Sequence, residues 1–216
     1  MTRSPRLLAL LAAGGLALAG CGAESSASEP AAHDHGDSPA TVEGPDDAYA
    51  GIDLPEPYQR PEFTLTDTAG ESYDFGEQTG GRPTLLFFGY TQCPDVCPAT
   101  MADVAVALRT SDPELAKQVQ LVFVTTDPAT DTPAVLGEYL DRFDADLPAQ
   151  FVGLTGDQEA IDQAQLAAGV PLAEEDGRQH SALLLLYGAD DEAPVAFDTG
   201  NTPQDIAGDL TLVAGS

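Results

Sequence analysis

The sequence has few positively charged side chains: 8 of its 216 residues are lysine or arginine, against 36 aspartates and glutamates. Phosphates repel the resulting formal charge of −28, which excludes a nucleic-acid-binding protein and adsorption to anionic lipid through charge. The chain also lacks tryptophan. A hydrophobic fraction of 43% still suffices for one ordinary core, so we expect one folded domain with additional segments.

Cysteine is also scarce, with Cys21, Cys93 and Cys97 as the whole set. An odd number leaves at least one cysteine unpaired or modified. Residues 1–20 have a basic start and an apolar run over 7–19, which is too short to span a bilayer but typical of a signal peptide. The run ends LAGC, which resembles a bacterial lipobox and predicts lipid attachment at Cys21. The alternative is a short buried helix that ends at an ordinary cysteine.

Residues 21–60 contain few large apolar side chains and are predicted to form a disordered acidic tether behind the lipidated cysteine. Within it His33 and His35, with Asp34 and Asp37, suggest loose binding of a divalent metal. A solvated polar tract explains the same residues, and we favour that interpretation. The predicted domain spans 61–216. The lipid anchor predicts an extracytoplasmic location, where cysteine pairs can be oxidised.

Hydrophobic patterning predicts an α/β fold with a sheet covered by helices on both faces. Two continuous apolar runs indicate central buried strands, and proline or an acidic cap marks several helix starts. For the helix at 131–143, Asp131 or Thr132 is the predicted cap. The predicted strands are 63–66, 71–75, 84–90, 119–125, 151–154, 181–187 and 195–198, and the helices are 98–109, 131–143, 157–168 and a last one from 202.

Cys93 and Cys97 lie where the first central strand is predicted to end and a helix to begin. The carboxyl end of a strand is the usual place for ligand chemistry in an α/β sheet. A helix N-terminus favours thiolate, and a spacing of four places both sulfurs on one side of a turn. The pair is therefore predicted either to close a disulfide or to bind a soft metal ion. The alternative is a purely structural disulfide or two buried free cysteines.

His180 is the one histidine outside the tether. A lone histidine is more often a local hydrogen-bonding residue than a ligand. Beside two thiolates, however, an imidazole completes a three-coordinate soft site that suits Cu(I), whereas Zn(II) normally requires a fourth ligand.

From about residue 61 onward the chain resembles the Sco/SenC family of copper-binding, thioredoxin-like assembly factors of cytochrome c oxidase. The resemblance rests on six short motifs in order: FFGYT at 87–91, CPDVCP at 93–98, TDP at 126–128, DTP at 131–133, FVGLTG at 151–156 and HS at 180–181.

The resemblance implies a thioredoxin-like fold, a central mixed sheet with an N-terminal β-hairpin, and copper as the cofactor, bound by Cys93, Cys97 and His180. Family members are thought to deliver copper to the dinuclear copper site of the oxidase, or to reduce its cysteines. The expected partners are therefore the copper-site subunit of the oxidase or another copper protein, and the membrane through the lipid anchor. We expect a monomer. Asp127 and Asp131 are expected beside the site, although capping explains Asp131 equally well.

Two departures from the family pattern stand out. Gln92 occupies a position that is often histidine, so no extra ligand is available there, and a lipobox replaces the usual transmembrane anchor. The competing function is a thiol–disulfide oxidoreductase or thiol peroxidase that uses Cys93 and Cys97. Such enzymes typically have a CxxC pair and a facing cis-proline at the start of a later strand. This chain has CxxxC, and the strand after His180 has no proline nearby, with Pro171 the closest before it. A binding module with a structural disulfide leaves His180 unexplained.

Overall fold

The computed structural model describes residues 48–174 and 177–215. These residues form eight strands and six helices. In chain order the elements are β1 (Ile52–Gln59), β2 (Thr64–Asp67), β3 (Ser72–Asp74), α1 (Phe75–Thr79), β4 (Thr84–Gly89), α2 (Val96–Thr110), α3 (Pro113–Ala116), β5 (Gln120–Thr125), α4 (Pro133–Asp144), β6 (Val152–Thr155), α5 (Gln158–Ala167), β7 (Leu184–Tyr187), β8 (Glu192–Phe197) and α6 (Pro203–Ala214).

The strands form one mixed sheet in the order β1-β8-β7-β4-β5-β6-β2-β3. β4 pairs in parallel with β5, and β5 with β6, while the other pairs are antiparallel. All six residues of β4 are buried, as the continuous apolar run predicts for a strand covered on both sides. The predicted mixed sheet and the β2–β3 hairpin are confirmed.

Neighbouring residues of the central strands point to opposite faces of the sheet. Phe87 and Phe123 face α2, α4 and α6 in one apolar cluster. Phe88 and Val124 face α1 and α5 in a second cluster. The two layers of helices bury both faces of the sheet, so the carboxyl ends of β4 and β5 remain as an edge where loops can assemble a site.

Short polar side chains start the helices that follow the central strands. The Thr132 hydroxyl accepts a hydrogen bond from the Val135 amide and Pro133 is the first residue of α4. Of the two predicted caps, Thr132 is therefore the residue that caps α4, and Asp131 is free for another role. Asp157 caps α5 as predicted.

The strand β1 differs from the prediction, because residues 52–60 were expected to belong to the tether. β1 pairs with β8, but its register shifts between Asp53 and Tyr58. Pro55 and Pro57 lie in this interval and donate no backbone hydrogen bond, so an irregular edge strand tolerates them. The prolines and the partly exposed side chains concealed the strand in the sequence pattern.

The residues before β1 are also part of the domain. The buried carboxylate of Asp209 on α6 accepts hydrogen bonds from the amides of Ala50 and Gly51, at 3.0 and 2.8 Å. Residues 1–47, including Cys21, His33 and His35, lie outside the described residues. None of the helices in the described ranges has the length and apolar character needed to cross a membrane.

Candidate metal centre

Cys93, Cys97 and His180 meet at the carboxyl edge of the central strands. β4 ends at Gly89, and the chain passes through Cys93 into α2, whose first turn contains Cys97. The helix starts two residues earlier than predicted, so Cys97 lies within it. One potential ligand atom from each of the three side chains lies within 4.8 Å of the others. In the described part of the chain this is the one such group of three His, Cys, Asp or Glu side chains.

The two cysteines have different environments. Cys97 is completely buried, whereas Cys93 is partly exposed and both thiols are free. The Cys97 amide donates a hydrogen bond to the Cys93 sulfur at 3.3 Å, so the first turn of α2 holds the two side chains together. Cys93 is the ligand candidate that an incoming ion or partner reaches first.

A single hydrogen bond sets the tautomer of His180. Its Nδ1 lies 2.8 Å from the carbonyl oxygen of Ser181, which only accepts, so Nδ1 carries the ring proton. The lone pair of the neutral ring is therefore on Nε2, which lies 3.4 Å from Cys97 Sγ. The rings of Phe87 and Tyr90 pack edge-on against the imidazole and hold its plane. This arrangement, a nitrogen ligand oriented through its other ring nitrogen, is typical of metal-binding histidine.

Burial reverses one expectation from the sequence. A helix N-terminus was expected to lower the pKa of the thiols, but burial raises the pKa of Cys97, and a hydrogen bond from the Tyr90 backbone only partly offsets this. Cys97 is therefore a neutral thiol that donates to His180 Nε2 at physiological pH. Because a metal ion binds thiolate, it must displace this proton.

Gly89 leaves space for the Cys97 sulfur because it has no side chain. A Cβ atom at position 89 would lie 2.8 Å from both Cys97 Sγ and a ring carbon of Phe87, and 3.3 Å from a ring carbon of Phe123. Real Cβ atoms do not approach neighbours at 2.8 Å, so a side chain here would displace the sulfur and the Phe87 ring. The glycine of the FFGYT motif thus permits Cys97 to pack against the end of β4.

A contact that the sequence pattern did not reveal holds the loop that carries His180. Gly177 has φ +88°, and a Cβ there would lie 2.0 Å from the carbonyl oxygen of Thr126. The Thr126 hydroxyl donates to the Gly177 carbonyl at 2.7 Å. Only glycine fits this approach, which ties the loop before His180 to the end of β5. A lone glycine in a polar stretch gave no periodic signal for it.

Asp131 fixes the position of the segment that leads from β4 to Cys93. Its buried carboxylate accepts hydrogen bonds from the Thr91 amide and hydroxyl, at 2.9 and 2.6 Å, and from the Thr125 hydroxyl at 2.6 Å. It thereby links the end of β5 to the segment that leads to Cys93. The backbone carbonyl of Asp127 accepts from the amides of Thr130 and Asp131 and forms the turn between them. Neither carboxylate belongs to the Cys/Cys/His cluster.

The donor set of two sulfurs and one imidazole nitrogen is soft and three-coordinate. Such ligands favour Cu(I), while hard cations prefer oxygen ligands and Zn(II) normally takes four ligands. The predicted strand at 181–187 begins only at Leu184, so residues 181–183 form an irregular segment. In this segment the Ser181 carbonyl accepts the hydrogen bond from His180 Nδ1.

The sequence model of the SCO1/SenC family matches residues 54–215. A relative from Stutzerimonas stutzeri, whose name describes it as a candidate copper-binding protein, is 37% identical over 143 residues, which cover 63% of this chain and 68% of that protein. The mitochondrial protein SCO2 of Saccharomyces cerevisiae is 35% identical over 114 residues, which cover 53% of this chain and 35% of that protein. The chain thus spans about a third of the length of the yeast relative.

Two solved structures are similar to the described fold. The copper-bound structure of Bradyrhizobium japonicum ScoI has a TM-score of 0.59 and 33% identity, and the match covers 72% of this chain and 99% of that chain. The apo Sco1 structure from Thermus thermophilus has a TM-score of 0.65 and 28% identity, with 78% and 99% covered. The match to Sco structures confirms the thioredoxin-like fold that the sequence motifs imply.

Proposed function

The chain belongs to the SCO1/SenC family, and we propose from this premise that it binds one Cu(I) ion and delivers it to another copper protein. The ligands in this proposal are Cys93, Cys97 and His180. The observation that carries it is the convergence of the three ligand atoms within 4.8 Å, with the lone pair of His180 Nε2 directed at the buried sulfur. Copper-bound structures of similar proteins support the choice of metal.

The chain's own residues account for binding in a simple sequence. Cys93, the exposed ligand, makes the first contact. Cys97 then gives up its proton to solvent and becomes the second thiolate, so the ion replaces the thiol proton that lay between Cys97 Sγ and His180 Nε2. The Nδ1–H group of His180 stays hydrogen-bonded to the Ser181 carbonyl throughout, so Nε2 does not have to lose a proton before it binds copper.

Release of copper also depends on the difference in exposure between Cys93 and Cys97. A thiolate of the acceptor protein replaces Cys93 first, because Cys93 is accessible while Cys97 and the core around it are not. Exchange between soft ligands avoids free copper in solution. We propose the dinuclear copper site of cytochrome c oxidase as the destination, since assembly of this site is the role that the family resemblance implies.

For the N-terminal segment we propose lipid attachment at Cys21 and an extracytoplasmic domain held at the cell membrane. The support is the basic start, the apolar run and the LAGC sequence of residues 1–21. Metabolic labelling with a fatty acid tests this directly. Label is expected on the wild-type protein and not on Cys21→Ala.

A thiol–disulfide oxidoreductase or thiol peroxidase remains the second candidate function. It is favoured by one observation, the pairing of an accessible Cys93 with a buried Cys97 in a single helical turn. Both roles use the same sulfurs, and a thiol pair that holds metal is not available for disulfide exchange. Rapid insulin reduction or peroxide turnover by a protein without copper affinity would favour this candidate.

Anaerobic Cu(I) titration of the purified protein tests the proposal. We expect one equivalent to bind to wild type, and binding to be lost in Cys93→Ser and Cys97→Ser and strongly weakened in His180→Ala. A deletion strain is expected to lose oxidase activity that added copper restores. Full affinity in His180→Ala would contradict the three-ligand site.

A further inference from the structure

A groove lies between α2, the start of α6 and the segment that follows His180. Its lining is mostly apolar, and its buried side chains are those of Leu184, Phe197 and Ile206. Its volume is about 60 Å³. At about 10–15 Å³ for each water-sized group, it admits roughly four to six heavy atoms. The groove therefore has the size for one side chain, and it is much smaller than a typical small-molecule site of about 300–1,000 Å³.

The groove adjoins the metal centre through two of its lining residues. Val96 directly precedes Cys97, and Ala182 follows His180 by two residues. Val96 and Cys93 also pack against the same apolar cluster. A stable interface covers about 800 Å² on each partner. A protein that docks closely enough to exchange copper with the partly exposed Cys93 therefore covers the groove as well.

Asp103 on α2 lines the groove and is partly buried. Burial raises the pKa of its carboxyl, and no hydrogen bond or neighbouring charge within residues 48–174 and 177–215 counters this. The second carboxylate of the groove differs, because Asp198 Oδ1 accepts a hydrogen bond from the Gly200 amide at 2.8 Å. A desolvated carboxylate without a partner is costly, and a cation from outside the chain relieves that cost.

A lysine side chain has the properties that the groove requires. Its four-carbon stem packs along apolar surface while its compact ammonium remains at the polar end. In the groove the stem would lie against Leu184, Phe197 and Ile206, and the ammonium would meet the Asp103 carboxylate. The stem and the ammonium together also match the roughly four to six heavy atoms that the volume admits.

Charge indicates that this lysine belongs to a different protein. Lys117 is the single lysine of the chain, and its ammonium lies 2.6 Å from a carboxylate oxygen of Glu114. Two copies of the chain, each with a formal charge of −28, also repel each other. The same charge attracts a partner with a basic surface.

We propose that this groove is the docking site for a lysine side chain of the protein that receives copper, with Asp103 as the partner of its ammonium. The inference rests on the proposed delivery of copper and specifies the surface chemistry of the acceptor. Occupation of the groove places the acceptor beside Cys93. Asp103 does not touch the metal and acts on docking alone.

Calorimetric titration of the copper-loaded full protein tests the inference. The titrant is the copper-site domain of cytochrome c oxidase from the same organism, with its copper-binding cysteines replaced by serine so that docking occurs without transfer. We expect the dissociation constant of the complex to rise about tenfold in Asp103→Asn. Glu159→Gln is the matched control, because it removes one exposed carboxylate charge from α5 on the other face of the sheet. Both variants should keep the wild-type Cu(I) affinity.

A zero-length cross-link identifies the pair directly. A carbodiimide condenses a carboxylate with an amine that contacts it, with loss of water, and mass spectrometry locates the new amide bond. We expect Asp103 to be joined to a lysine of the acceptor domain, in the metal-free and in the copper-loaded protein. Acetylation of the acceptor lysines removes their charge, so the acetylated domain should bind wild type and Asp103→Asn with the same affinity.

Failure of the groove and failure of the proposed function give different results. Equal docking of wild type and Asp103→Asn, or an equal loss in Glu159→Gln, overturns the role of Asp103 and leaves the copper site intact. Cross-links that join the acceptor only to other carboxylates, or a wild-type protein that forms no complex, do the same. A wild-type protein that cross-links through Asp103 but binds no Cu(I) overturns the proposed function and keeps the docking site.

Discussion

The Sγ atom of Cys97 lies 3.4 Å from the Nε2 atom of His180, although 83 residues separate them in sequence. The contact joins the first turn of α2 to the loop before β7 and places the lone pair of a neutral imidazole against a buried thiol. Without metal, the Cys97 thiol and the His180 imidazole therefore pack together as neutral groups. When metal binds, the same two atoms are the soft ligands.

Gly177→Ala should weaken copper binding by displacing the loop that carries His180. The added Cβ would lie 2.0 Å from the Thr126 carbonyl oxygen. Gly70→Ala is the matched control, because Gly70 has a similar φ of +82° but open space around it. The free energy of unfolding should fall by about 1–2 kcal/mol in both variants, because alanine replaces glycine at a positive φ. It should fall further in Gly177→Ala. Urea unfolding and Cu(I) competition measure the two effects, and equal copper affinity in both variants would contradict the role of Gly177.

Gly89→Ala should lower copper affinity by displacing the Cys97 sulfur and the Phe87 ring, which packs edge-on against His180. The new methyl group competes for the space that Sγ occupies at the end of β4. Gly137→Ala on α4 adds a methyl with its nearest neighbour 3.8 Å away and should stabilise the helix by about 1 kcal/mol. Chelator competition is expected to show weaker binding in Gly89→Ala alone. Unchanged copper affinity in Gly89→Ala would contradict this account, because it would show that the added methyl group does not displace the Cys97 sulfur.

Asp131→Asn should destabilise the protein by about 2–4 kcal/mol. The carboxylate accepts three hydrogen bonds from Thr91 and Thr125, and an amide places an NH2 group where one of the two acceptor oxygens now lies. Asp157→Asn is the control, because asparagine caps a helix as well as aspartate and α5 should be unaffected. Chemical denaturation of the metal-free proteins tests the difference. An Asp131→Asn variant as stable as Asp157→Asn would refute the loop-shaping role.

The metal-free protein should lose stability as pH rises above the ordinary thiol pKa of about 8.5. Folding raises the pKa of Cys97, so the folded state holds a proton that the unfolded state releases, and stability falls by about 1.4 kcal/mol per pH unit from this group. Its contribution is fully present below that pH. Thermal unfolding of wild type and Cys97→Ser between pH 8 and 10 measures the slope. A slope that persists unchanged in Cys97→Ser would assign it to other groups.

The parts of the fold that sequence analysis predicted are those with a strong local pattern. The uninterrupted apolar runs of β4 and β5 and the polar caps of α4 and α5 each identify an element without tertiary information. The cysteine pair was placed correctly because its spacing and position at a strand–helix boundary are local properties. β1 was missed because Pro55 and Pro57 interrupt its pattern, and its pairing with β8 is a long-range contact.

The finer features of the site depend on contacts across the fold, which no local pattern reports. The approach of Gly177 to Thr126, the hydrogen bond that sets the His180 tautomer and the burial that raises the Cys97 pKa all require the assembled structure. A helix N-terminus alone predicts an acidic thiol, but desolvation in the core is the stronger effect for Cys97.

X-ray absorption at the copper edge, on protein loaded with one equivalent of Cu(I), tests the central claim most directly. The structure predicts two sulfur ligands and one imidazole nitrogen, with the nitrogen signal absent in His180→Ala. A copper site that contains sulfur ligands alone in the wild-type protein, or a nitrogen signal that survives in His180→Ala, would contradict it.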